Sequence, residues 1–174
     1  MVSDLDAAAE RAMRGDSSAF EEIVEATSAE LVRLSARMLG NVADAEDAVQ
    51  EAYVRAYRAL TGGQFDRRSR VRTWLYRIAI NATIDAKRKR KRTAADELVD
   101  PGWEGGAAAE ATLALREIAD WLGDLPDEQR TALVLKAVEG MSSAEIAEIM
   151  ECSEGAVEQR LVRARTAQRQ RRET

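Results

Sequence analysis

The spacing of apolar residues constrains this chain most. Over nearly all of its 174 residues, apolar side chains recur every three or four positions, and no stretch alternates apolar and polar residues like a strand. The pattern predicts an all-α protein. Its first half should contain helices at about 5–14, from Asp16 to 39, at 44–60 and at 71–92, with Thr27-Ser28 as a candidate break in the second.

Residues 93–112 divide the chain. Pro101-Gly102 and Gly105-Gly106 interrupt any helix there, and the apolar content falls to small residues, as is typical of a flexible linker. Two small helical domains, 1–92 and 113–174, are therefore predicted. Trp103 within the linker is either a docking anchor or a loosely packed surface residue.

The second domain ends in a helix-turn-helix pattern. After predicted helices at 113–122 and 126–138, Ser142 and Glu145 form a capping box, and Met141 and Ile146 stand at the staple positions of a short helix at 143–150. A turn then leads to a long helix at 154–170. Its arginines favour DNA binding in the major groove over a bare helical hairpin.

Charge is segregated along the chain. Residues 67–92 hold eleven Lys or Arg and one acid, Asp85, whereas the whole chain has a net charge of -5. Residues 52–92 carry a net +11 and residues 93–159 a net -13. A basic segment that also contains Trp74 and Tyr76 suits nucleic acid, since phosphates attract cations and unstacked bases stack on aromatic rings. The alternative is a charge run that only keeps a helix soluble.

Residue types exclude several other classes of protein. Cys152 is the single cysteine and histidine is absent, which excludes an internal disulfide, a zinc finger and a histidine-based acid-base site. Acids at 44–51 could suggest a carboxylate metal cluster, but the di-iron version needs histidine. We therefore predict no catalytic residue, no metal and no cofactor. The lack of a long apolar run or a signal pattern predicts a cytoplasmic chain without membrane contact.

Four segments resemble one bacterial family. DSSAFEEIV at 16–24, DAEDAVQEAYVRAYRAL at 44–60 and RVRTWLYRIAINATID at 70–85 resemble the promoter-melting domain of extracytoplasmic-function sigma factors. Residues 125–165 resemble the second domain of that family. The resemblance implies a factor that is not an enzyme, binds bacterial core RNA polymerase, recognises the minus-thirty-five and minus-ten elements and promotes promoter opening. A conventional regulator would leave the basic helix of the first domain unexplained.

The same resemblance implies partners and site residues. The partners are core polymerase, promoter DNA as duplex and as melted strand, and an anti-sigma factor as a candidate. The polymerase would contact the third helix through Asp44, Asp47, Gln50, Glu51 and Arg55. The minus-ten element would contact the loop 62–69 and the fourth helix through Gln64, Phe65, Arg72, Trp74, Arg77, Asn81, Lys87 and Arg88, although Trp74 could equally be core. The minus-thirty-five element would contact Ser153, Glu154, Glu158, Gln159, Arg160, Arg163 and Arg165.

This chain departs from the family pattern within its second domain. The usual Gly-hydrophobic-Pro turn is Glu151-Cys152-Ser153, and a positive φ at Glu151 would cost about 1 kcal/mol. A common Lys-Ser pair is Glu158-Gln159, and a common histidine is Val162. Glu158 could accept a hydrogen bond from cytosine, or it could repel phosphate and weaken DNA binding.

Overall fold

All regular structure in the described part of the chain is helical, as predicted. The computed structural model describes residues 4–96 and 121–172. The first domain contains α1 (Asp4–Met13), α2 (Ser17–Leu39), α3 (Val42–Thr61) and α4 (Val71–Asp96). Residues 121–124 are helical, and α5 (Asp127–Ala137), α6 (Ser143–Ile149) and α7 (Glu154–Arg172) follow.

The helix boundaries agree with the prediction except at the end of α4. That helix continues to Asp96, into the stretch predicted as linker. The remainder of this stretch, with Trp103, lies outside the described residues, as does the predicted helix at 113–122 up to residue 120. No helix within the two described ranges has an apolar stretch long enough to cross a membrane.

The join between α2 and α3 is short because both helix ends are capped. The N–H of Gly40, with a φ of 72°, donates to the Ala36 carbonyl, and the Asn41 side chain accepts from the N–H of Asp44. The candidate break at Thr27-Ser28 is absent, since α2 is continuous from Ser17 to Leu39. The Thr27 hydroxyl donates to the Ile23 carbonyl at 2.7 Å and pairs with the Tyr53 hydroxyl, so the helix accommodates it.

The core of the first domain is aliphatic. Helix α2 packs against α3, and α3 against α4, around buried side chains that include Ile23, Leu31, Leu34 and Leu75. Burying each such side chain contributes about 1.5–3 kcal/mol. The inner stripe of α3 is buried at Ala45, Ala48, Val49, Ala52, Ala56 and Leu60. The opposite face of α3 is thereby left to solvent.

Helices α6 and α7 form the predicted helix-turn-helix. Ser142 and Glu145 make both hydrogen bonds of the capping box, and these bonds lower the pKa of the Glu145 carboxyl. Glu151 has a φ of 51°, the strained conformation expected at this turn. Helix α7 packs through the buried side chains of Val157, Leu161 and Ala164.

Arg130 is a buried charge that holds the start of the second domain. Its guanidinium donates to the carbonyls of Leu122, Gly123 and Leu125, and burial lowers its pKa against the opposing effect of Asp127. An Arg130→Met substitution leaves three carbonyls without their donor, so we expect it to lower the free energy of unfolding by about 3 kcal/mol.

Urea unfolding followed by circular dichroism measures this loss. The matched control is Arg169→Met, because Arg169 is exposed on α7 and its loss should change stability by less than about 0.5 kcal/mol. Equal unfolding midpoints for the two variants would contradict a structural role for Arg130.

Candidate nucleic-acid and polymerase interfaces

The residues of α3 assigned to polymerase form an acidic stripe on one face of the helix. Asp47, Gln50 and Glu51 are exposed, and Asp44 is half-buried beside them. Arg55 closes the stripe with ion pairs of 3.0 Å to Glu51 and to Asp85 of α4. Asp47, Glu51 and Arg55 border an open groove between α3 and α4. The structure thus brings together all five side chains assigned to polymerase.

The loop 62–70 is held in place by a pair of aromatic rings. Phe65 is 7% exposed, and its ring lies 4.7 Å from that of the half-buried Trp74, measured between centroids. Both rings pack against the core of the first domain. In this structure they therefore support the loop, whereas Gln64 and Arg68 are exposed at its surface.

Arg72 and Tyr76 are tied to α2 through Glu30. The Glu30 carboxylate accepts from the Arg72 guanidinium and from the Tyr76 hydroxyl. Burial, and then the bond to Glu30, raise the pKa of Tyr76 above its ordinary value. The sequence suggested Tyr76 as an aromatic for bases, but the residue is 1% exposed and belongs to the core. The aliphatic stem and charge of Arg72 remain at the surface.

Two of the other residues predicted to hold the melted strand, Arg77 and Lys87, contact the second domain. Arg77 and Lys87 are half-buried between the domains, Arg88 is largely exposed at their edge, and Asn81 is exposed. Sequence reasoning missed their acidic partners, Asp127 and Glu151. The opposite net charges of residues 52–92 and 93–159 were the only available signal.

Helix α7 presents most of the predicted duplex contacts to solvent. The exposed residues are Ser153, Glu154, Glu158, Gln159, Arg163 and Arg165. Glu158 accepts a hydrogen bond from the hydroxyl of Ser143. Arg160 differs, because its side chain is 20% exposed and is paired with Glu128 at 2.9 Å and with the sulfur of Cys152. In this structure Arg160 therefore stabilises the helix-turn-helix.

The first domain carries an acidic stripe and a basic helix, and the second carries a helix-turn-helix. This combination is that of a DNA-binding factor that also binds a protein partner. Two family models match it. Residues 23–93 match Sigma-70 region 2, and residues 115–167 match Sigma-70, region 4.

Relatives match over most of their length. The chain is 38% identical over 170 residues to the ECF RNA polymerase sigma factor SigW of Bacillus subtilis, covering 90% of each protein. It is 34% identical over 172 residues to the ECF RNA polymerase sigma-E factor of Escherichia coli K12, with 91% and 88% covered. The solved structure of CnrH, in complex with the cytosolic domain of CnrY, matches with a TM-score of 0.70 at 30% identity, covering 95% and 94% of the two chains.

The chain belongs to the extracytoplasmic-function RNA polymerase sigma factors. It binds core RNA polymerase and promoter DNA, recognises the minus-thirty-five and minus-ten elements and promotes promoter opening. The family matches and the relatives therefore confirm the predicted function. Sigma factors are transcription initiation factors and not enzymes.

Proposed function

We propose that the chain divides its sigma activity among three surfaces. The polymerase surface consists of the five α3 residues from Asp44 to Arg55. The strand surface consists of the loop 62–69 with the exposed basic and amide side chains of α4. The duplex surface consists of Ser153 and the solvent face of α7 from Glu154 to Arg165. The observation that supports this division is that α3 runs directly into the loop 62–70, so the segment proposed to contact the base follows the helix proposed to contact polymerase.

The polymerase surface suits a basic protein partner. The carboxylates of Asp47 and Glu51 are exposed on a helix whose other face is buried, so docking requires no rearrangement of the fold. The ion pairs of Arg55 keep Glu51 oriented without neutralising the whole stripe, since Asp47 makes no ion pair within the described residues.

The strand surface suits a flipped base and a separated strand. Phe65 and Trp74 hold the loop from beneath, which leaves Gln64 and Arg68 to contact a base edge. Asn81 and Arg88 lie seven positions apart, two turns along α4, and can hold the backbone of the same strand. Base choice and strand affinity are therefore assigned to different residues.

The duplex surface can be tested by two substitutions with different expected signatures. Glu158→Lys should shift preference at one base pair, because this side chain points from the face assigned to the groove and a change of base contact costs about 1–3 kcal/mol. Arg165→Ala should weaken all sequences alike and flatten the salt dependence, because a phosphate contact carries no base information. Promoter-library binding with reconstituted polymerase measures both profiles.

The control for these two variants is Arg169→Ala, which removes an exposed charge on α7 beyond the assigned surface. Identical profiles for Glu158→Lys and Arg165→Ala across the library would show that the groove-facing side of α7 is misplaced.

We further propose the cytoplasm as the site of action, since core polymerase and promoter DNA are the partners. We propose the domain limits 1–92 and 113–174, joined by the linker 93–112. Helix α4 continues past the first limit to Asp96. An anti-sigma protein is proposed as an additional partner, supported by the solved CnrH chain, which is bound to the cytosolic domain of CnrY. Co-purification of the full chain with candidate membrane or soluble inhibitors tests this partner.

A further inference from the structure

The two domains of the free chain are joined by ion pairs that involve the strand surface. Arg77 reaches the Glu151 carboxylate at 2.9 Å, and Lys87 reaches Asp127 at 2.7 Å. Arg37 of α2 adds a third pair at 2.6 Å to Glu139, whose side chain is 11% exposed. All three basic groups belong to the first domain and all three acids to the second.

The Arg77 guanidinium is surrounded by oxygen atoms much as it would be on a phosphate group. Its guanidinium donates to the carbonyls of Glu148 and Ile149 at the end of α6, at 2.9 and 3.3 Å, and pairs with the Glu151 carboxylate. Helix ends of this kind carry a partial negative charge. The C-terminus of α6 and Glu151 thus offer three oxygens to one guanidinium, which is the arrangement an Arg adopts on a phosphate group.

Glu151 is one of the residues at which this chain departs from the family pattern. The turn usually begins with glycine, and here a glutamate occupies a left-handed backbone conformation with a φ of 51°. The presence of glutamate in this strained backbone conformation is explained when its side chain makes a contact that glycine cannot make. In this structure that contact is the ion pair with Arg77.

We propose that Asp127, Glu139 and Glu151 form an acidic face that closes the second domain over the strand surface and competes with DNA for Arg77 and Lys87. The inference rests on the assignment of these two residues to the melted strand. The net charges of +11 for residues 52–92 and -13 for residues 93–159 favour the closed state at long range. The face opens when promoter DNA or polymerase displaces it.

The pairs that hold the closed state are suited to reversible opening. The Arg77 side chain is 24% exposed and that of Glu151 is 67% exposed, so salt screens their attraction. The free chain should therefore expand as the salt concentration rises.

The test uses the full chain and the double substitution Glu151→Gln with Asp127→Asn. Its matched control is Glu148→Gln with Asp124→Asn, which removes two carboxylates from the same domain. The Glu148 carboxylate makes no ion pair in the described ranges, and Asp124 pairs only with Arg171 of its own domain there. Both variants therefore change the net charge equally.

Small-angle X-ray scattering reports closure, and fluorescence anisotropy with a labelled single-stranded DNA of mixed sequence reports competition. We expect the test variant to be more extended than the wild type at low salt and to bind the strand about tenfold more tightly, a change of the size seen when paired charges at an interface are removed. The control variant should match the wild-type scattering profile and change strand affinity less than about twofold.

Different failures identify different errors. A wild-type chain that is already as extended as the test variant at low salt overturns the closed state. A test variant that opens without gaining more strand affinity than the control overturns the competition with DNA. Adding Arg77→Ala to the opened variant should reduce strand affinity, and an unchanged affinity would refute the strand assignment while leaving the measured closure intact.

Discussion

Reversing two charges on α3 should remove most of the affinity of this sigma factor for core polymerase. Asp47→Arg with Glu51→Arg replaces two exposed carboxylates by guanidinium groups on the surface assigned to the polymerase. Juxtaposing like charges at an interface costs several kcal/mol, so we expect the dissociation constant to rise about 100-fold or more. Titration of core enzyme into the labelled chain measures the change.

The fold offers a close control for that experiment. Glu21 and Glu25 are exposed on α2 with the same spacing of four residues, and neither makes an ion pair in the described part of the chain. Glu21→Arg with Glu25→Arg therefore makes the same charge change on a different face. Both variants should retain the helical circular dichroism and melting behaviour of the parent chain, because exposed substitutions cost little stability.

If both double variants bind core enzyme equally well, α3 is not the polymerase surface. If both lose affinity equally, net charge rather than position governs association. Only a selective loss for Asp47 and Glu51 agrees with the assignment.

Promoter opening should separate into base choice and strand holding. Exchanging the exposed loop residues Gln64, Asp66 and Arg68 should change the preferred minus-ten base without affecting upstream recognition, because contacts to a flipped base decide specificity. Arg88→Ala should slow opening about tenfold or more while the preferred base stays the same, since a backbone contact carries no sequence information.

The structure shows which residues these variants should retain and which they should replace. Phe65 must be retained in the loop exchange, because it anchors the loop on Trp74, and Gly63 must be retained because its φ is 69°. Arg88 is a better choice than Arg77, because within the described residues Arg88 contacts the second domain only through an ion pair of 3.8 Å to Asp127, whereas Arg77 contacts Glu148, Ile149 and Glu151. Promoter profiling and single-round opening kinetics with reconstituted polymerase measure the two effects. A loop exchange that leaves base preference unaltered would refute the pocket.

Local features of the sequence determined the helices and the faces they expose. Periodicity identified the inner stripe of α3 and therefore the acidic stripe opposite it, because side chains three and four positions apart share a face. Caps at Asp16 and Gly40 and the capping box at Ser142 marked helix ends, because they satisfy backbone groups within a few residues. The family motifs then identified the function of the chain.

Tertiary structure alone decided which candidate residues are free to act. Phe65 is buried against Trp74 of α4 and Tyr76 beside Glu30 of α2, and the sequence near each contains no sign of this packing. Arg77 and Lys87 are engaged by acids 74 and 40 positions away, and Arg160 by Glu128. Sequence periodicity describes the direction of a side chain about its own helix axis. The partner that it meets depends on how separate helices pack, which is set by contacts distant in the chain.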